Sequence, residues 1–419
     1  MQGSPGDTRA KLLEYQSKRI LRDHGIVVPA GEIASDPREA EAIARKLGGN
    51  VVVKAQLPFT GRHDVGGVRF ASSPKEVRLA AEEMLTSYFK GFRPKKVLVE
   101  RRMNVKAELF LSVVINDSMR FRSPMLLASP FGGTGIEERS EGVVRIPVDY
   151  LDGLRREVVE EEFSRVGMPS KAVDIALKLY DIFVEYDARS VEVNPLALTD
   201  EGLVALDARI DLDDHALFRH PEVEVEVPKD LNREPTDLER RMWYWDDADP
   251  RGTGYFIQLT TEVSEGYIGF HGIGGGGAML AADALIRRGL KLANYADTSG
   301  DPPASKVYRV IRTILSIPGI EGYVMMGSVL ASQEQWHHAH AIVKAFNEML
   351  RDRPGFPAVI LLAGNKEEES HEIIRRGVKD LPIRFELYGR DYIYETEYIA
   401  DRVLELVEEY RRERDEVQN

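Results

Sequence analysis

A lysine at the end of an apolar strand, followed by a glycine-containing segment, could bind the phosphates of a nucleotide. The run Val51-Val52-Val53-Lys54 has the composition of a buried strand, and Gly61, Gly66 and Gly67 follow it. The ammonium of Lys54 can neutralise phosphate oxygens, and glycines allow backbone N–H groups to approach them. Taken alone, these residues favour a plainer interpretation, a lysine that reaches water beside an ordinary hairpin. No GxxxxGK(S/T) pattern occurs, so a P-loop is excluded.

A second candidate combines one amide and two carboxylates on neighbouring predicted strands. Alternation within the first strand puts Glu192 and Asn194 on one face, about 7 Å apart, and Pro195 is expected to end that strand. Asp207 ends the next predicted strand. An asparagine oxygen and a carboxylate are a plausible partial shell for Mg²⁺, which phosphate oxygens and water would complete. A hairpin with polar residues on its solvent-facing side is the alternative.

A glycine run between a predicted strand and a predicted helix is the third candidate. The run is Gly272-Ile273-Gly274-Gly275-Gly276-Gly277, and free N–H groups at a helix N-terminus attract anions. It lacks the full GxGxxG spacing with an acidic residue on the next strand, which weakens a dinucleotide interpretation. Ser328 follows Gly327 at the end of another predicted strand and suggests a second anion-binding turn. A tight turn without a ligand is the alternative.

Three histidines, His337, His338 and His340, lie close together on a predicted helix. Their spacing does not place all three on one helical face, and no carboxylate pattern supports a metal site. We therefore expect a solvated helix surface here.

The order of the predicted elements divides the chain into two structural classes. The first half is strand-rich with helices predicted at 8–24 and 154–186, and it belongs to the α+β class. From about residue 252, strands and helices alternate with short connections, which predicts a parallel, doubly wound sheet of the α/β class. The stretch between the halves is charged and rich in proline. We therefore expect two domains, at 1–235 and 252–419, joined by a linker at 236–251.

The bulk composition is that of a globular protein without an extreme charge bias. Lys and Arg number 56 against 69 Asp and Glu, and the resulting charge of −13 argues against nucleic acid or an anionic membrane as the main partner. No cysteine is present, which excludes disulfides, thiolate metal sites and a cysteine nucleophile. The start lacks the apolar core of a signal peptide, and no run of about 18 apolar residues occurs. These features predict a cytoplasmic protein.

The candidate residues occur in the order and spacing of the succinyl-CoA synthetase β subunit, and the resemblance covers nearly the whole chain. The motifs that carry it are Glu14-Tyr15-Gln16-Ser17-Lys18, Val52-Val53-Lys54, Gly61-Arg62, Gly66-Gly67-Val68, Val99-Glu100, Glu108-Leu109, Gly132-Gly133, Glu192-Val193-Asn194-Pro195-Leu196, Leu206-Asp207 and Ala216-Leu217-Phe218-Arg219. Each motif is weak alone, but their ordered combination is specific. The resemblance implies an N-terminal ATP-grasp domain followed by a flavodoxin-like, doubly wound parallel sheet domain.

The resemblance also implies roles for individual residues. The nucleotide and metal residues would be Lys54, Gly61, Arg62 and His63 at the phosphates of ATP or GTP, Glu100, Met103 and Glu108 at the adenosine, and Asn194 and Asp207 at Mg²⁺. Glu192 would orient a phosphohistidine. That histidine and most of the CoA site belong to the family's α subunit, so the chain is expected to need an α-type partner and to be inactive alone.

The second half resembles ATP-citrate lyase more closely, through Gly275-Gly276-Gly277-Ala278, Ala293-Asn294-Tyr295, Ser299-Gly300 with Pro302, and Gly327-Ser328. The residues expected at the acid are Ile273, Gly274, Gly275, Ser328, Val329 and Leu330. The implied reaction forms the CoA thioester of a small di- or tricarboxylic acid, with citrate preferred to succinate. His63-Asp64 and Phe131 depart from the family's Gly-Lys pair and glutamate. A non-catalytic regulatory homologue that binds nucleotide or acid is therefore the alternative.

Overall fold

The computed structural model describes residues 9–116, 122–133, 142–149, 151–225 and 233–418. The chain divides into two units, Met1–Glu234 and Pro235–Asn419. The elements of the first unit are β1 (Arg9–Lys11), α1 (Glu14–Asp23), β2 (Gly31–Ala34), α2 (Pro37–Lys46), β3 (Val51–Ala55), β4 (Val68–Ala71), α3 (Pro74–Thr86), β5 (Val97–Arg101), β6 (Val105–Asn116), β7 (Ser123–Ser129), β8 (Val144–Pro147), α4 (Arg156–Val166), α5 (Lys171–Glu185), β9 (Ala188–Thr199), β10 (Gly202–Ala205) and β11 (Arg209–Asp213).

Two antiparallel sheets build the first unit. The smaller has the order β2-β5-β3-β4, and the larger runs β1-β11-β9-β6-β7-β8 with β10 beside β9. Helices α2 and α3 pack on the smaller sheet, and α5 packs on β6 and β9 of the larger one. Asp36 and Ser73 accept backbone N–H groups at the starts of α2 and α3, and a proline follows each cap at the first helical position.

The elements of the second unit follow in chain order: α6 (Asp237–Asp247), β12 (Tyr255–Gln258), β13 (Tyr267–Ile273), α7 (Gly275–Arg287), β14 (Lys291–Leu292), β15 (Asn294–Asp297), α8 (Ala304–Leu315), β16 (Tyr323–Glu334), α9 (Trp336–Met349), β17 (Pro357–Leu361), β18 (Ala363–Asn365), α10 (Glu367–Val378), β19 (Arg384–Tyr388) and α11 (Thr396–Gln418). None of the described helices is both long enough and apolar enough to cross a membrane.

Parallel strands with helices on both faces form the centre of the second unit. Strands β13, β16, β17 and β19 are parallel neighbours, and β12 adds an antiparallel edge through β15. Alternate residues of β16 face opposite cores: Tyr323 and Met325 pack with α8, α9 and α10, and Val324 and Met326 with α7 and α11. The prediction of an α+β half followed by a doubly wound α/β half is confirmed.

Several expected boundaries differ from the structure. The helix expected at 8–24 begins only at Glu14, because Arg9–Lys11 pairs with β11 as a strand. The expectation that Pro195 ends its strand is wrong, since β9 continues to Thr199 and pairs with β10 beyond the proline. The helical stretch at 154–186 is two helices, because Gly167 ends α4 in a left-handed conformation.

The stretch expected as a linker at 236–251 contains a helix of the second unit. Thr236 and Glu239 form a reciprocal capping box at the start of α6, and this helix packs on β12 and α8. The Thr-x-x-Glu spacing was visible in the sequence, but the surrounding charges and prolines obscured it. At the other end of the unit, α11 continues past Tyr410 to Gln418.

Candidate functional site

A cavity of about 410 Å³ in the first unit brings together six of the predicted residues. Its lining includes Gly61, Arg62, His63, Glu192, Asn194 and Asp207. These residues come from the loop after β3, from β9, and from the loop between β10 and β11. These six residues therefore contribute a guanidinium, two carboxylates and an amide to the wall, groups that bind phosphates and a divalent cation.

The pairing of three strands sets the positions of Glu192, Asn194 and Asp207. Leu196 of β9 pairs with Ala205 of β10, and continuing this register puts Asn194 opposite Asp207. Glu192 pairs with Arg209 of β11 on the other side of the same bend. The Asn194 Oδ1 accepts the backbone N–H of Gly133 at 2.8 Å, which fixes the amide orientation.

The loop after β3 folds so that Arg62 points inward while its neighbours stay exposed. Gly61 and Gly66 have positive φ angles of 71° and 78°, and the N–H of Gly67 returns to the Arg62 carbonyl at 2.7 Å. The Arg62 side chain is 8% exposed, whereas the side chains of His63 and Asp64 are 70% and 66% exposed.

Six charged side chains form a single buried network beside the cavity, which we call the charged cluster. Its members are Glu14, Lys18, Lys54, Arg62, Glu100 and Asp207, three cations and three anions. All except Asp207 are less than one-tenth exposed. Burying charges is costly unless each is paired, and equal numbers of opposite charges meet that requirement.

Lys54 lies inside the charged cluster rather than on the cavity wall. Its Nζ lies 2.6 Å from Glu100 Oε1, 2.8 Å from Glu14 Oε1 and 2.6 Å from the Leu206 carbonyl oxygen. These three acceptors match the three N–H donors of an ammonium group. Lys18 repeats the arrangement, because its Nζ contacts the same two glutamates and the same carbonyl.

Arg62 is the cation of the charged cluster that also lines the cavity. Its Nη2 donates to both oxygens of Asp207, at 2.8 and 2.7 Å. Its Nη1 lies 2.7 Å from Glu14 Oε2, a contact at ion-pair distance without hydrogen-bond alignment. The guanidinium is thus held between an anion on the cavity wall and an anion at the start of α1.

The network moves the pKa values of Glu14, Lys54 and Arg62 towards the charged forms. Burial raises the pKa of Glu14, but Arg62, Lys18 and Lys54 outweigh it and hold that pKa well below its usual value. Burial likewise lowers the pKa of Lys54, yet Glu100 and Glu14 together raise it above that of a free lysine. Asp207 and Glu14 raise the pKa of Arg62 in the same way. These shifts favour the charged forms of Glu14, Lys54 and Arg62 at neutral pH.

The two remaining predicted nucleotide residues lie near one end of the larger sheet. Met103 lies in the connection between β5 and β6, and Glu108 is an exposed residue of β6. A Cβ atom at Gly133 would come within 2.8 Å of Glu108 Oε2, so a side chain there would displace the carboxylate. Neither Met103 nor Glu108 lines the cavity.

The donor set of Asn194 and Asp207 fits Mg²⁺. Both side chains line the cavity and present an amide oxygen and a carboxylate, which are hard oxygen ligands. Asp207 already accepts two N–H contacts from Arg62 and one from the backbone of Ala208. A cation at Asp207 would therefore compete with the guanidinium of Arg62 for the same carboxylate.

The residues expected at the acid lie at two places in the second unit: Ile273, Gly274 and Gly275 at the carboxyl end of β13, and Ser328, Val329 and Leu330 within β16. The expectation that a strand ends before Ser328 in a second turn is wrong, because β16 continues to Glu334 and pairs with β18 there. Ile273 ends β13 and is fully buried in the apolar core, so only its backbone is available to a ligand. Gly274 caps α7 and Gly275 is the first residue of this helix. A Cβ at Gly327 would lie 2.1 Å from the Ile273 carbonyl oxygen, so this close approach requires glycine. The side chains of Ser328, Val329 and Leu330 lie outside the described residues.

A chain of four polar side chains crosses the core of the second unit, which we call the neutral chain. Tyr323 OH lies 2.6 Å from His271 Nδ1, and His271 Nε2 lies 2.7 Å from Thr298 Oγ1. Thr298 Oγ1 is in turn 2.8 Å from His338 Nε2. Burial, with His338 nearby, lowers the pKa of His271 well below its usual value, and burial lowers that of His338 to about 4. Both histidines are therefore neutral.

The position of His338 contradicts the expectation of a solvated helix surface. It is 0% exposed, while His340 on the same helix is exposed. Glu14 and Lys18 belong to the N-terminal motif, but the sequence indicated no individual role for either of them. Their signal was a pair of opposite charges at i and i+4 on a helix, a pattern that usually indicates a solvent-exposed salt bridge.

Comparisons with known proteins cover most of the chain. A family model described as an ATP-grasp domain matches residues 11–198, and one described as ATP citrate lyase citrate-binding matches residues 239–402. A succinate–CoA ligase (ADP-forming) β subunit from Ignicoccus hospitalis is 35% identical over 376 residues, which cover 87% of this chain and 93% of the relative. One from Archaeoglobus fulgidus is 37% identical over 378 residues with the same coverage. A GDP-forming β subunit from Thermus thermophilus is 33% identical over 373 residues.

A solved structure supports the fold over nearly the same length. ATP citrate lyase from Methanothrix soehngenii, in complex with citrate and coenzyme A, superposes with a TM-score of 0.74 at 19% identity, covering 91% of this chain and 97% of the other. At this identity the match supports the fold alone. An ATP-grasp domain followed by a second α/β domain is the architecture of this chain.

Proposed function

The chain belongs to the succinate–CoA ligase β-subunit family, and from this premise we propose that it is the nucleotide-binding subunit of an ADP-forming ligase that joins a small carboxylic acid to CoA. The observation that carries the proposal is the shared cavity of Arg62, Glu192, Asn194 and Asp207. A phosphoryl-transfer site needs cations for the phosphates, ligands for Mg²⁺ and a group that orients the acceptor, and these four residues supply each of them.

The residues of the cavity divide the work in the first step, transfer of the terminal phosphoryl group of ATP to a histidine of an α-type partner. Arg62 and the backbone of Gly61 and His63 would bind phosphate oxygens, with Lys54 behind them in the charged cluster. Mg²⁺, when held by Asn194 and Asp207, would neutralise charge on the phosphates. Glu192 would accept a hydrogen bond from the acceptor imidazole and fix its tautomer.

Two further steps complete the proposed reaction. The phosphoryl group passes from the histidine to the carboxylate of the acid, which gives an acyl phosphate and restores the histidine. The CoA thiol then attacks the acyl carbon and expels phosphate, which gives the thioester. The carboxyl edge of the second unit, with Gly274 and Gly275 at the start of α7, would bind the acid, because helix N-terminal N–H groups attract carboxylate and phosphate.

Citrate is our first proposal for the acid and succinate the second. The family model that matches residues 239–402 is described as citrate-binding, which supports citrate. The relatives that match over most of the chain are succinate–CoA ligases, which supports succinate. Glu100, Met103 and Glu108 remain our proposal for the adenosine, and Ser328, Val329 and Leu330 for the acid.

The role of Glu192 is tested by measuring histidine phosphorylation of the α-type partner with radiolabelled ATP. We expect Glu192→Gln to reduce phosphorylation by about a hundredfold or more, because an amide cannot hold the imidazole as a carboxylate does. Glu201→Gln is the matched control, since Glu201 is an exposed glutamate at the turn between β9 and β10. Wild-type phosphorylation by an assembled Glu192→Gln complex would refute the role.

A further inference from the structure

Glu14 is the carboxylate that Lys54 and Arg62 share. Glu100 also contacts Lys54, and Asp207 also contacts Arg62, but Glu14 contacts both cations and Lys18 as well. Its side chain is 1% exposed, and the residue nevertheless lines the cavity. Three cations that converge on one buried carboxylate indicate a residue that organises the others.

The two carboxylate oxygens of Glu14 contact different cations. Oε1 lies 2.8 Å from both Lys18 Nζ and Lys54 Nζ, and Oε2 lies 2.7 Å from Arg62 Nη1. Glu14 is also the first residue of α1, where the positive end of the helix favours an anion. The carboxylate therefore spans the distance between the lysines in the interior and the arginine on the cavity wall.

We propose that Glu14 is a positioning residue for the nucleotide phosphates, because it holds Lys54 and Arg62 in place beside the cavity. This inference rests on the proposed function, since it concerns the same nucleotide site. Asp207 can release Arg62 to a phosphate when a cation takes its carboxylate. Glu14 then keeps the guanidinium of Arg62 on the cavity wall. Glu14 also keeps Lys54 oriented behind that guanidinium.

An isosteric amide distinguishes positioning from simple charge. Removing an anion from the wall of a phosphate cavity makes the cavity more positive, so charge alone predicts tighter nucleotide binding by Glu14→Gln. Positioning predicts weaker binding. A glutamine offers one oxygen and one NH₂ group, so it can accept from the lysines or from Arg62 but not from both. Its NH₂ group would face a cation and displace it.

The experiment is calorimetric titration of the full-length chain with a magnesium complex of a non-hydrolysable ATP analogue. The variants are Glu14→Gln, Glu14→Asp and the matched control Glu321→Gln. Glu321 is a glutamate of the second unit, 2% exposed, that accepts from Arg411 and Arg414 at 2.8 Å each. Its replacement removes a buried carboxylate shared by two cations without touching the nucleotide site. Melting temperatures of all variants establish that each protein is folded during the titration.

We expect Glu14→Gln to bind the analogue about tenfold more weakly or worse, and Glu321→Gln to bind as the wild type does despite a lower melting temperature. Glu14→Asp keeps the charge but shortens the reach, so its affinity should fall between the other two. In turnover with the partner, Glu14→Gln should raise the KM for nucleotide and leave the KM for CoA unchanged.

Equal or tighter binding by Glu14→Gln overturns the positioning role while the proposed function stands. If Glu14→Gln is unfolded, Glu14→Asp decides, and wild-type affinity of that variant overturns the role as well. A wild-type chain that binds no nucleotide overturns the proposed function together with the inference. Because the wild type is titrated beside every variant, failure of the positioning role can be distinguished from failure of the proposed function.

Discussion

The charged cluster of the first unit and the neutral chain of the second unit bury polar side chains in opposite ways. The charged cluster of the first unit pairs three cations with three anions, and these contacts hold the pKa of Glu14 below its usual value and that of Lys54 above it. The neutral chain of the second unit has no charged member, and burial lowers the pKa of His271 and His338 until both are neutral. Both solutions avoid an unpaired buried charge.

The difference corresponds to the ligands that we propose for each unit. Phosphates and Mg²⁺ need full charges, and these can be kept in the interior only if other charges compensate them while the nucleotide is away. The neutral chain instead includes Thr298, and the backbone N–H of Thr298 donates to the carbonyl of Gly272 in the glycine run. It fixes the backbone at the carboxyl edge of the sheet, where helix N-terminal N–H groups can bind an acid.

The largest effect is expected from removing one cation of the charged cluster. Lys54→Met leaves Glu14 and Glu100 with one cation fewer, and we expect a loss of about 3 kcal/mol in the unfolding free energy of the first unit. Nucleotide affinity should fall as well, because the phosphates lose a buried positive charge. Denaturant unfolding and nucleotide titration measure the two effects.

Lys46→Met is the control for that measurement. Lys46 lies 3.5 Å from Glu32, and the two side chains are 66% and 57% exposed. Because solvent screens this pair, the expected loss is below about 1 kcal/mol. Similar losses for Lys54→Met and Lys46→Met would show that the cluster does not depend on its pairing.

The neutral chain should make the second unit sensitive to acid. The pKa of His338 is lowered from 6.5 to about 4, so the unfolded chain binds a proton that the folded chain does not bind between these values. The stability contribution is complete above pH 6.5 and is lost as the pH falls towards 4. From about pH 7 to about pH 5 we expect a loss of about 2 kcal/mol from this residue.

A variant isolates this contribution from the carboxylates that also titrate below neutral pH. His338→Gln should flatten the decline in stability, whereas His340→Gln, at an exposed position of the same helix, should leave it unchanged. Urea unfolding at several pH values, followed by a probe in the second unit, gives the slopes. An identical decline in wild type and His338→Gln would show that His338 does not cause the loss of stability at low pH.

A smaller effect is expected from the ion pair of Arg62 and Asp207. If this pair opens when nucleotide and cation bind, Asp207→Asn should free Arg62 and strengthen the binding of ADP in the absence of metal by about fivefold. The same substitution should weaken binding when Mg²⁺ is present. Titration with ADP in chelator and in Mg²⁺ measures both directions.

Two further variants test whether the effect of Asp207→Asn comes from the release of Arg62 or only from the loss of one negative charge near the cavity. Asp64→Asn removes an anion that lines the same cavity and is 66% exposed, and it should leave metal-free ADP binding nearly unchanged. In an Arg62→Gln background the effect of Asp207→Asn should disappear, because no guanidinium remains to be freed. Persistence of the effect in that background would mean that charge alone explains it.

The sequence predicted the alternating half of the chain well because its signals are local. The alternation expected from about residue 252 is observed, for example in β13 followed by α7 and in β16 followed by α9. Apolar runs bounded by helices determine such strands. In the first half, β1 was missed because three residues pair with β11, about 200 positions away, and no local pattern records that contact.

The cavity residues were found through motifs, but their contacts were not. Gly61, Arg62, Glu192, Asn194 and Asp207 line one cavity, as expected of a common site. The enclosure of Lys54 by Glu14, Glu100 and a backbone carbonyl could not be read from the sequence, since these groups come from α1, β5 and the end of β10. The burial of His338 was missed for the same reason, because its partner Thr298 lies 40 positions away.

The central claim is tested most directly by measuring ADP release from this chain assembled with its α-type partner, in the presence of ATP, Mg²⁺, CoA and a panel of small carboxylic acids. We predict ADP release that requires both CoA and one acid, with citrate giving the highest rate and succinate the next. A stable complex that binds nucleotide but releases no ADP with any acid would contradict the claim, and would identify the chain as a non-catalytic regulatory subunit.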